Sequence, residues 1–197
     1  MREVIVKVGG SLYDLPDLGR RLRQWLDHQT ERVLLVPGGG PAADWIRQID
    51  AAEPLGAEQS HWLALRSLTL AAHVLAGRLL NSVVIQHLPD RHAVWQRCQT
   101  PILDLFPFAV SDEANVGHLD HTWDVTSDSL AARVCVVTGI RRLVLLKSCP
   151  LPNPVDWEAA ARDGLVDAAF PSVVAAAGLN LKVTAIDFRS PQAEPEA

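Results

Sequence analysis

The sequence predicts an α/β fold, a three-layer α/β/α sandwich with a mostly parallel central sheet. Two observations carry this prediction. Apolar runs with the continuous or two-residue spacing of buried strands alternate with stretches whose apolar residues recur every three or four positions. Two of these runs also end in glycine-rich turns, at residues 7–11 and 38–40, where a strand would give way to a helix. We therefore expect a single domain over residues 1–190 and a polar tail over residues 191–197.

The first two predicted strands cover residues 2–8 and 32–36. Between them a helix begins near Pro16, because apolar residues recur at three- and four-residue steps over residues 15–26 and so share one face. The next helix begins at Pro41, since proline suits the first helical position.

A long helix is predicted over residues 57–80. It is apolar on more than one side, so it needs complete burial or a partner, and we expect a homodimer or a higher homo-oligomer. His61 lies on this helix, either as a substrate contact or, more commonly for a lone histidine, as a satisfied core or interface residue. A third strand at residues 82–86 and a helix at residues 90–97 follow.

A fourth, buried strand is predicted at residues 101–106. Residues 107–124 have no regular period, which predicts a loop that is functional or mobile. Its His118 and His121 have carboxylates between and around them, but a metal site also needs a third ligand, so a solvated loop is favoured and no metal site is predicted. Trp123, at the end of the loop, supplies an aromatic wall beside a carboxylate, which fits a small-molecule pocket.

The helix predicted over residues 126–139 is capped by Thr126 or Ser127 and ends at Gly139. The remaining predicted elements are a strand at residues 142–146, a short helix at residues 156–162, a turn near residues 166–170 and an edge strand at residues 181–188.

The composition of the chain argues against several classes of function. The 197 residues include 18 Lys and Arg against 23 Asp and Glu, a net charge of −5, with no basic block, so nucleic-acid binding is not expected. Cys98, Cys135 and Cys149 lie in or beside apolar runs without CxxC spacing, which predicts reduced core thiols and a cytoplasmic location. The N-terminus lacks the apolar stretch of a signal peptide, and the apolar runs are too short for a membrane span, so no membrane association is expected.

The two glycine turns are predicted to form facing halves of one phosphate cradle. Glycine lets the backbone approach an anion, and successive amides at a strand-to-helix turn point at negative charge, although one such turn alone is commonly just a tight connection. The chain has only three lysines beside fifteen arginines, and Lys7 and Lys147 stand at strand ends, where a compact charge is wanted. Asp128, in the first turn of its helix, either compensates the helix dipole or holds these ammonium groups over a transferring phosphoryl group.

Four motifs in this order resemble those of the amino acid kinase family. They are KVGGSL at residues 7–12, VPGGGP at residues 36–41, TSDSLAA at residues 126–132, and Gly139 followed by the strand at residues 142–146. The resemblance covers about three quarters of the chain. It implies a three-layer α/β/α fold, ATP with Mg²⁺ as the phosphoryl donor, and a carboxylate, carbamate or phosphate as the acceptor.

The resemblance also assigns roles by position. Lys7 would neutralise charge on the transferring phosphoryl group, and Asp128 would orient the catalytic lysines. The predicted phosphate or nucleotide contacts are Gly9, Gly10, Ser11, Ser127 and Ser148. The predicted substrate contacts are Gly38, Gly39, Gly40, Asp44, Trp123 and Asp124. Because such acceptors are already anionic, positioning and electrostatic stabilisation do most of the catalysis.

The sequence departs from the family after the strand at residues 142–146. Many members carry Thr-Asp-Val-x-Gly-Val-Tyr there, to hold the nucleotide, whereas this chain has KSCPLP at residues 147–152. A later glycine-rich segment with a second catalytic lysine is not recognisable, and we hypothesise that Lys147 replaces that charge. The short length and the lysine-serine variant are most similar to the branch that phosphorylates aminomethylfuran phosphate, which makes a phosphomonoester the best predicted acceptor.

Two other classes of protein are alternatives to a kinase. A catalytically inactive ligand-binding or storage subunit of the same fold is the alternative, because the altered nucleotide segment permits it. A dinucleotide oxidoreductase is disfavoured, since neither turn spells GxGxxG and no acidic residue ends the second strand.

Overall fold

The computed structural model describes residues 1–152, 154–178 and 180–190. In this part of the chain six parallel strands form one sheet, and helices cover both of its faces. The predicted sandwich is confirmed, with a sheet that is parallel throughout. Residues 191–197 lie outside the described residues, so the predicted domain with a polar tail stays a prediction.

The strands are β1 (Glu3–Val8), β2 (Arg32–Pro37), β3 (Ser82–Ile85), β4 (Thr100–Leu103), β5 (Arg142–Lys147) and β6 (Lys182–Asp187). The helices are α1 (Leu18–Asp27), α2 (Gly40–Ala52), α3 (Ala57–Arg78), α4 (Arg91–Gln96), α5 (Leu105–Asp112), α6 (Ser127–Thr138), α7 (Trp157–Arg162) and α8 (Phe170–Ala176).

The order of the strands across the sheet places a crevice beside β1. The order is β3-β4-β2-β1-β5-β6, so the chain leaves β1 towards β2 and later returns to β5 on the other side. In open parallel sheets such a reversal of direction opens a crevice at the carboxyl ends of the strands, where ligands bind. Here the carboxyl ends of β1, β2 and β5 carry the two glycine turns and Lys147.

Burial on both faces explains the apolar character of the central strands. In β1, Ile5 packs into a cluster with α5, α6 and α8, while Val4 and Val6 pack into a second cluster with α1 and the C-terminal half of α3. Strands covered on both faces read as nearly continuous apolar runs, and this is the signal that located β1 and β2 in the sequence. The edge position predicted for β6 is confirmed.

The predicted fourth strand is too long. β4 ends at Leu103, and the apolar residues assigned to its end belong to α5. Asp104 sets this boundary, because its carboxylate accepts a hydrogen bond from the Phe106 amide at 3.1 Å, as an N-cap residue does. The apolar run continued unbroken from strand to buried helix, so periodicity alone could not separate them. α5 also shortens the predicted loop, leaving residues 113–126 as the irregular segment.

The predicted turn near residues 166–170 is present at residues 168–169, but α8, which begins at the fully buried Phe170, was not predicted. The expectation of three core thiols is wrong. Cys98 is exposed rather than a core thiol, while Cys135 is buried and Cys149 is partly buried.

α3 presents a second apolar face besides the one it buries. Leu65, Leu68 and Leu75 are buried, whereas Leu70 is 57% exposed and Val74 lies beside it one turn along the helix. The predicted homo-oligomer stays a prediction. None of the helices in the described ranges combines the length and apolarity that a bilayer crossing requires.

Candidate active site

The two glycine turns pack backbone to backbone. A Cβ added to Gly10 would lie 2.3 Å from the Gly40 amide nitrogen, and one added to Gly38 would lie 2.5 Å from the Gly10 nitrogen. The Gly38 amide also donates to the Val8 carbonyl at 2.8 Å, which fixes the second turn against the end of β1. A side chain at either position would drive the turns apart, so glycine is required for this contact.

Asp128 joins two lysines beside these turns. Its Oδ1 lies 2.8 Å from the Nζ of Lys7, at the end of β1, and its Oδ2 lies 2.7 Å from the Nζ of Lys147, at the end of β5. The Lys147 ammonium also donates to the Leu165 carbonyl at 2.7 Å. All three charged residues are buried, with exposures of 5% for Lys7, 4% for Asp128 and 9% for Lys147. One carboxylate therefore holds two ammonium groups from neighbouring strands.

The pKa values of Asp128 and Lys147 reflect a balance of burial against charge. Burial by itself would raise the pKa of Asp128, but the charges of Lys7 and Lys147 outweigh it and hold that pKa below its usual range. Burial and the charge of Lys7 lower the pKa of Lys147, although the Asp128 carboxylate opposes this shift. Asp128 is therefore an anion that positions two cations.

A distant carboxylate fixes the N-terminus of α6, which carries Asp128. Asp167 accepts hydrogen bonds from the Thr126 amide and the Ser129 amide, each at 3.0 Å, and from both of their hydroxyl groups. Thr126 occupies the N-cap position, as predicted, but its own side chain makes no capping hydrogen bond. Asp167 lies about 40 residues further along the chain, so no local capping signal could have revealed it.

The crevice has two lobes that share one wall. The wall consists of Lys7, Gly10, Ser11, Arg47, Trp123, Thr126 and Gly164. The Lys147 lobe, about 390 Å³, is further lined by Gly9, Asp124, Asp128, Lys147, Ser148, Cys149, Leu165, Val166, Asp167 and Ala168. The His61 lobe, about 320 Å³, is further lined by Gly39, Gly40, Ala43, Asp44, His61, Ala64, Leu65, Leu68, Val125, Ser127 and Leu130.

Nearly all the predicted site residues line this crevice, and they are divided between its two lobes. Ser127, predicted as a nucleotide contact, lines the His61 lobe, and Asp124, predicted as a substrate contact, lines the Lys147 lobe. Gly38 lines neither lobe and lies behind the wall against Gly10. Ser11 and Ser148 are 2.7 Å apart through their hydroxyl oxygens, which ties the first glycine turn to the segment after β5.

Arg47 was missed by the sequence analysis. Its guanidinium lies over the Trp123 ring, 5.0 Å from the centroid, and forms an ion pair with Asp44 at 2.8 Å. The Trp123 indole in turn donates to Asp50 at 2.7 Å, which anchors the irregular segment to α2. This arrangement sets a cation at the mouth of both lobes. The spacing of Arg47 from Asp44 resembles any surface helix pair, so nothing in the sequence singled it out.

The described part of the chain contains no group of three or more His, Cys, Asp or Glu residues placed to hold a metal ion. The Nε2 of His121 is hydrogen-bonded to the Glu113 carboxylate at 2.9 Å, and the His121 ring stacks on the ring of His61. Both Asp128 oxygens face lysines. Magnesium in phosphoryl-transfer sites typically keeps several waters and is held largely by substrate phosphates.

Solved structures of nucleotide kinases share this fold. UMP kinase from Ureaplasma parvum matches with a TM-score of 0.68 at 13% identity, over 96% of this chain and 91% of that one. UMP kinase from Bacillus anthracis matches with a TM-score of 0.66 at 14% identity, over 96% and 88% of the two chains. Uridylate kinase from Archaeoglobus fulgidus gives 0.62 at 12% identity, over 94% and 90%. The class of fold is therefore that of the UMP kinases.

The chain is also similar in sequence to a curated kinase. The chain is 28% identical over 142 residues to [5-(aminomethyl)furan-3-yl]methyl phosphate kinase from Methanocaldococcus jannaschii. The match covers 72% of this chain and spans 63% of the length of that relative. No protein-family model matches the chain. The curated match and the shared fold confirm the resemblance to the amino acid kinase family that was predicted from the motifs.

Proposed function

We propose that this protein is an ATP-dependent kinase that transfers the γ-phosphoryl group to a small anionic acceptor. The observation that carries the proposal is the Lys7–Asp128–Lys147 triad, whose Lys7 belongs to the wall shared by the two lobes and whose other two members line the Lys147 lobe. Two ammonium groups held by a single carboxylate supply fixed positive charge where a transferring phosphoryl group accumulates negative charge. Positive charge held in place before the reaction needs little reorganisation during it.

The donor nucleotide is assigned to the Lys147 lobe. The first glycine turn, the paired Ser11 and Ser148 hydroxyl groups and Lys147 offer hydrogen-bond donors along one side of this lobe. Gly10 suits a turn that contacts phosphate through its backbone, because the second turn occupies the space beside the Gly10 Cα and leaves no room for a side chain. Magnesium bound to the nucleotide would neutralise phosphate charge.

The acceptor is assigned to the His61 lobe. Its oxygen would attack the γ-phosphorus while the bond from that phosphorus to the β,γ-bridging oxygen breaks and ADP leaves. Lys7 lines both lobes, so it can neutralise charge on the group in transit, and Asp128 keeps its ammonium in place. An acceptor that is already an anion gives up no proton in this step, which explains why Asp128 can be fully committed to the lysines.

A phosphomonoester is the preferred acceptor. The name of the curated relative contains one, [5-(aminomethyl)furan-3-yl]methyl phosphate. The guanidinium of Arg47, at the mouth of both lobes, has the charge and the forked geometry that a phosphate dianion requires. The small apolar residues Ala43 and Ala64 leave room in the same lobe for a compact organic body.

The test combines transfer with binding. Purified protein is incubated with ATP, Mg²⁺ and a panel of phosphomonoesters and carboxylates, and ADP release and the phosphorus NMR spectrum of the product are recorded. Wild-type protein should phosphorylate at least one acceptor, and Lys7→Ala should lower kcat by at least about 100-fold. Lys182→Ala is the matched control, because Lys182 is exposed on the edge strand β6, and it should leave kcat unchanged.

A ligand-binding or storage subunit makes the opposite prediction. Saturable ATP binding by calorimetry, with no transfer to any acceptor and with the same affinity in Lys7→Ala, would overturn the kinase proposal in favour of that alternative.

A further inference from the structure

The end of β6 leads into a short segment, residues 187–190, that lies beside the candidate active site. Its Phe188 is fully buried and belongs to the same apolar cluster as residues of β1 and α1. The Phe188 amide donates to the Lys147 carbonyl at 2.8 Å, so the segment stays hydrogen-bonded to the end of β5 after β6 has ended. The 187–190 segment is therefore held at the strand end that carries Lys147.

A turn and a neighbouring helix fix the backbone of this segment. The Asp187 carboxylate accepts hydrogen bonds from the Arg189 amide at 3.0 Å and from the Ser190 hydroxyl. Arg21 of α1 donates to the Ser190 carbonyl at 2.7 Å, and its guanidinium lies over the Phe188 ring, 5.7 Å from the centroid. None of these contacts uses the side chain of Arg189, so the segment is anchored without it.

The Arg189 side chain reaches back to the first glycine turn. Its Nη2 donates to the Ser11 carbonyl at 2.7 Å and to the Asp14 carboxylate at 2.6 Å. A charged donor makes a stronger hydrogen bond than a neutral one, so the Ser11 carbonyl is firmly restrained. The amide of the same peptide group, which belongs to Leu12, donates to the Gly9 carbonyl at 3.0 Å. The Ser11–Leu12 peptide group is therefore fixed on both sides.

Ser11 connects this restraint to the crevice. It lines both lobes, and its hydroxyl lies 2.7 Å from the hydroxyl of Ser148, which lines the Lys147 lobe. Arg189 is not among the residues that line the two lobes. The 187–190 segment thus holds two parts of the Lys147 lobe by their backbones, Lys147 through the Phe188 amide and Ser11 through the Arg189 guanidinium.

We propose that Arg189 is a positioning residue for the donor nucleotide, which acts through the Ser11 peptide group and sets the affinity of the Lys147 lobe. This inference rests on the proposed function for the assignment of the nucleotide to that lobe. Loss of the Arg189 side chain frees the first glycine turn to shift at Ser11. Lys7 keeps its place, because Asp128 holds it separately at 2.8 Å. The expected defect is therefore in nucleotide binding and not in the transfer step.

The experiment measures binding, transfer and the order of the turn. Calorimetric titration with ATP and Mg²⁺ should show at least about fivefold weaker binding to Arg189→Ala than to wild-type protein. The KM for ATP should rise by a similar factor while kcat stays within about twofold, which a general loss of stability would not produce. By hydrogen exchange, the Leu12 amide should exchange at least about fivefold faster in Arg189→Ala.

Asp14→Ala is the matched control. It removes the second partner of Arg189 but leaves the contact with the Ser11 carbonyl. Because exposed ion pairs contribute little, this variant should bind ATP within about twofold of wild-type protein and should keep the slow exchange of the Leu12 amide. A comparison of the two variants therefore separates the ion pair from the restraint on Ser11.

Several results would overturn the inference. These are an unchanged ATP affinity in Arg189→Ala, an equal loss of affinity in Asp14→Ala, and an unchanged exchange rate of the Leu12 amide, which is measured without any ligand. No binding of ATP by wild-type protein overturns both this inference and the kinase proposal. Weaker ATP binding and faster Leu12 exchange in Arg189→Ala, with no phosphoryl transfer by wild-type protein to any acceptor, would support the inference and refute the kinase proposal alone.

Discussion

Replacement of Asp128 by asparagine tests the triad most directly. The substitution keeps the shape of the side chain but removes the carboxylate that lies 2.8 Å from the Lys7 ammonium and 2.7 Å from the Lys147 ammonium. Two ammonium groups, each at least nine-tenths buried, then lose the counter-charge that they share, while the charge of Asp167 still favours the charged form of Lys147. Breaking a buried ion pair by removing one partner costs about 3–5 kcal/mol, because an uncompensated charge stays buried.

The length of the chain allows the loss of unfolding free energy to be converted into a fall in Tm. For a chain of about 200 residues, 1 kcal/mol corresponds to about 2–4 °C in Tm, so the lower figure of about 3 kcal/mol predicts a fall of about 6–12 °C. Catalysis should fall by at least about 100-fold, since both cations lose their positions. Lys147→Met added to Asp128→Asn removes one buried charge, and it should recover at least about half of the lost stability but no activity.

The pH dependence gives an independent readout. The pKa of Asp128 is lowered in the folded protein, so its stabilising contribution is fully present above the unfolded-state pKa of about 4 and is lost as the pH falls through the lower folded-state value. Denaturant melts of wild-type protein and of Asp128→Asn should therefore differ most above about pH 4 and converge in acid. Equal Tm values at pH 7 together with an unchanged kcat would refute the role assigned to this carboxylate.

Three other predictions concern parts of the molecule around the triad. Gly10→Ala would bring a Cβ to 2.3 Å from a backbone nitrogen of the second turn, and it should weaken ATP binding by at least about tenfold in calorimetry. Gly77→Ala is the control, because no atom lies within 4 Å of the added Cβ. This variant should bind ATP normally, and its free energy of unfolding should rise by about 0.5–1 kcal/mol from helix propensity. Asp167→Ala removes the cap of α6, so it should lower the free energy of unfolding by about 1–2 kcal/mol and should also lower kcat. Asp156→Ala is the control, because it removes the cap of α7, and it should lower the free energy of unfolding without changing kcat. Leu70→Glu places a charge on the exposed face of α3 and should convert a homodimer into a monomer in light scattering; a wild-type monomer would contradict the predicted oligomer.

The glycine turns and the lysines were predictable because their positions depend on local sequence and on one rule of topology. Each turn follows a recognisable apolar strand, and the carboxyl ends of parallel strands lie at one edge of a sheet. Once β1, β2 and β5 were identified as strands, Lys7, Gly39 and Lys147 had to lie near one another. Their approach to within a shared crevice followed without any knowledge of side-chain contacts.

Other parts of the site could not be predicted, because they depend on contacts between distant segments. Asp167 caps α6 from a position beyond α7, and Arg47 acquires its place only by stacking on Trp123 from the irregular segment. Ser127 and Asp124, although close in sequence, line different lobes of the crevice. Sequence spacing determines that these residues are close to the crevice but not which side of it they line.

We propose that Lys147 supplies the charge that a later glycine-rich segment provides in the amino acid kinase pattern. Asp128 lies between the ends of β1 and β5, with its Oδ1 2.8 Å from the Lys7 ammonium and its Oδ2 2.7 Å from the Lys147 ammonium. A carboxylate placed between the ends of adjacent strands can hold a lysine from either strand, because their carboxyl ends lie only about 5 Å apart across the sheet. A charge supplied by β5 itself needs no additional loop, so two cations can stand at the proposed transfer point without that segment.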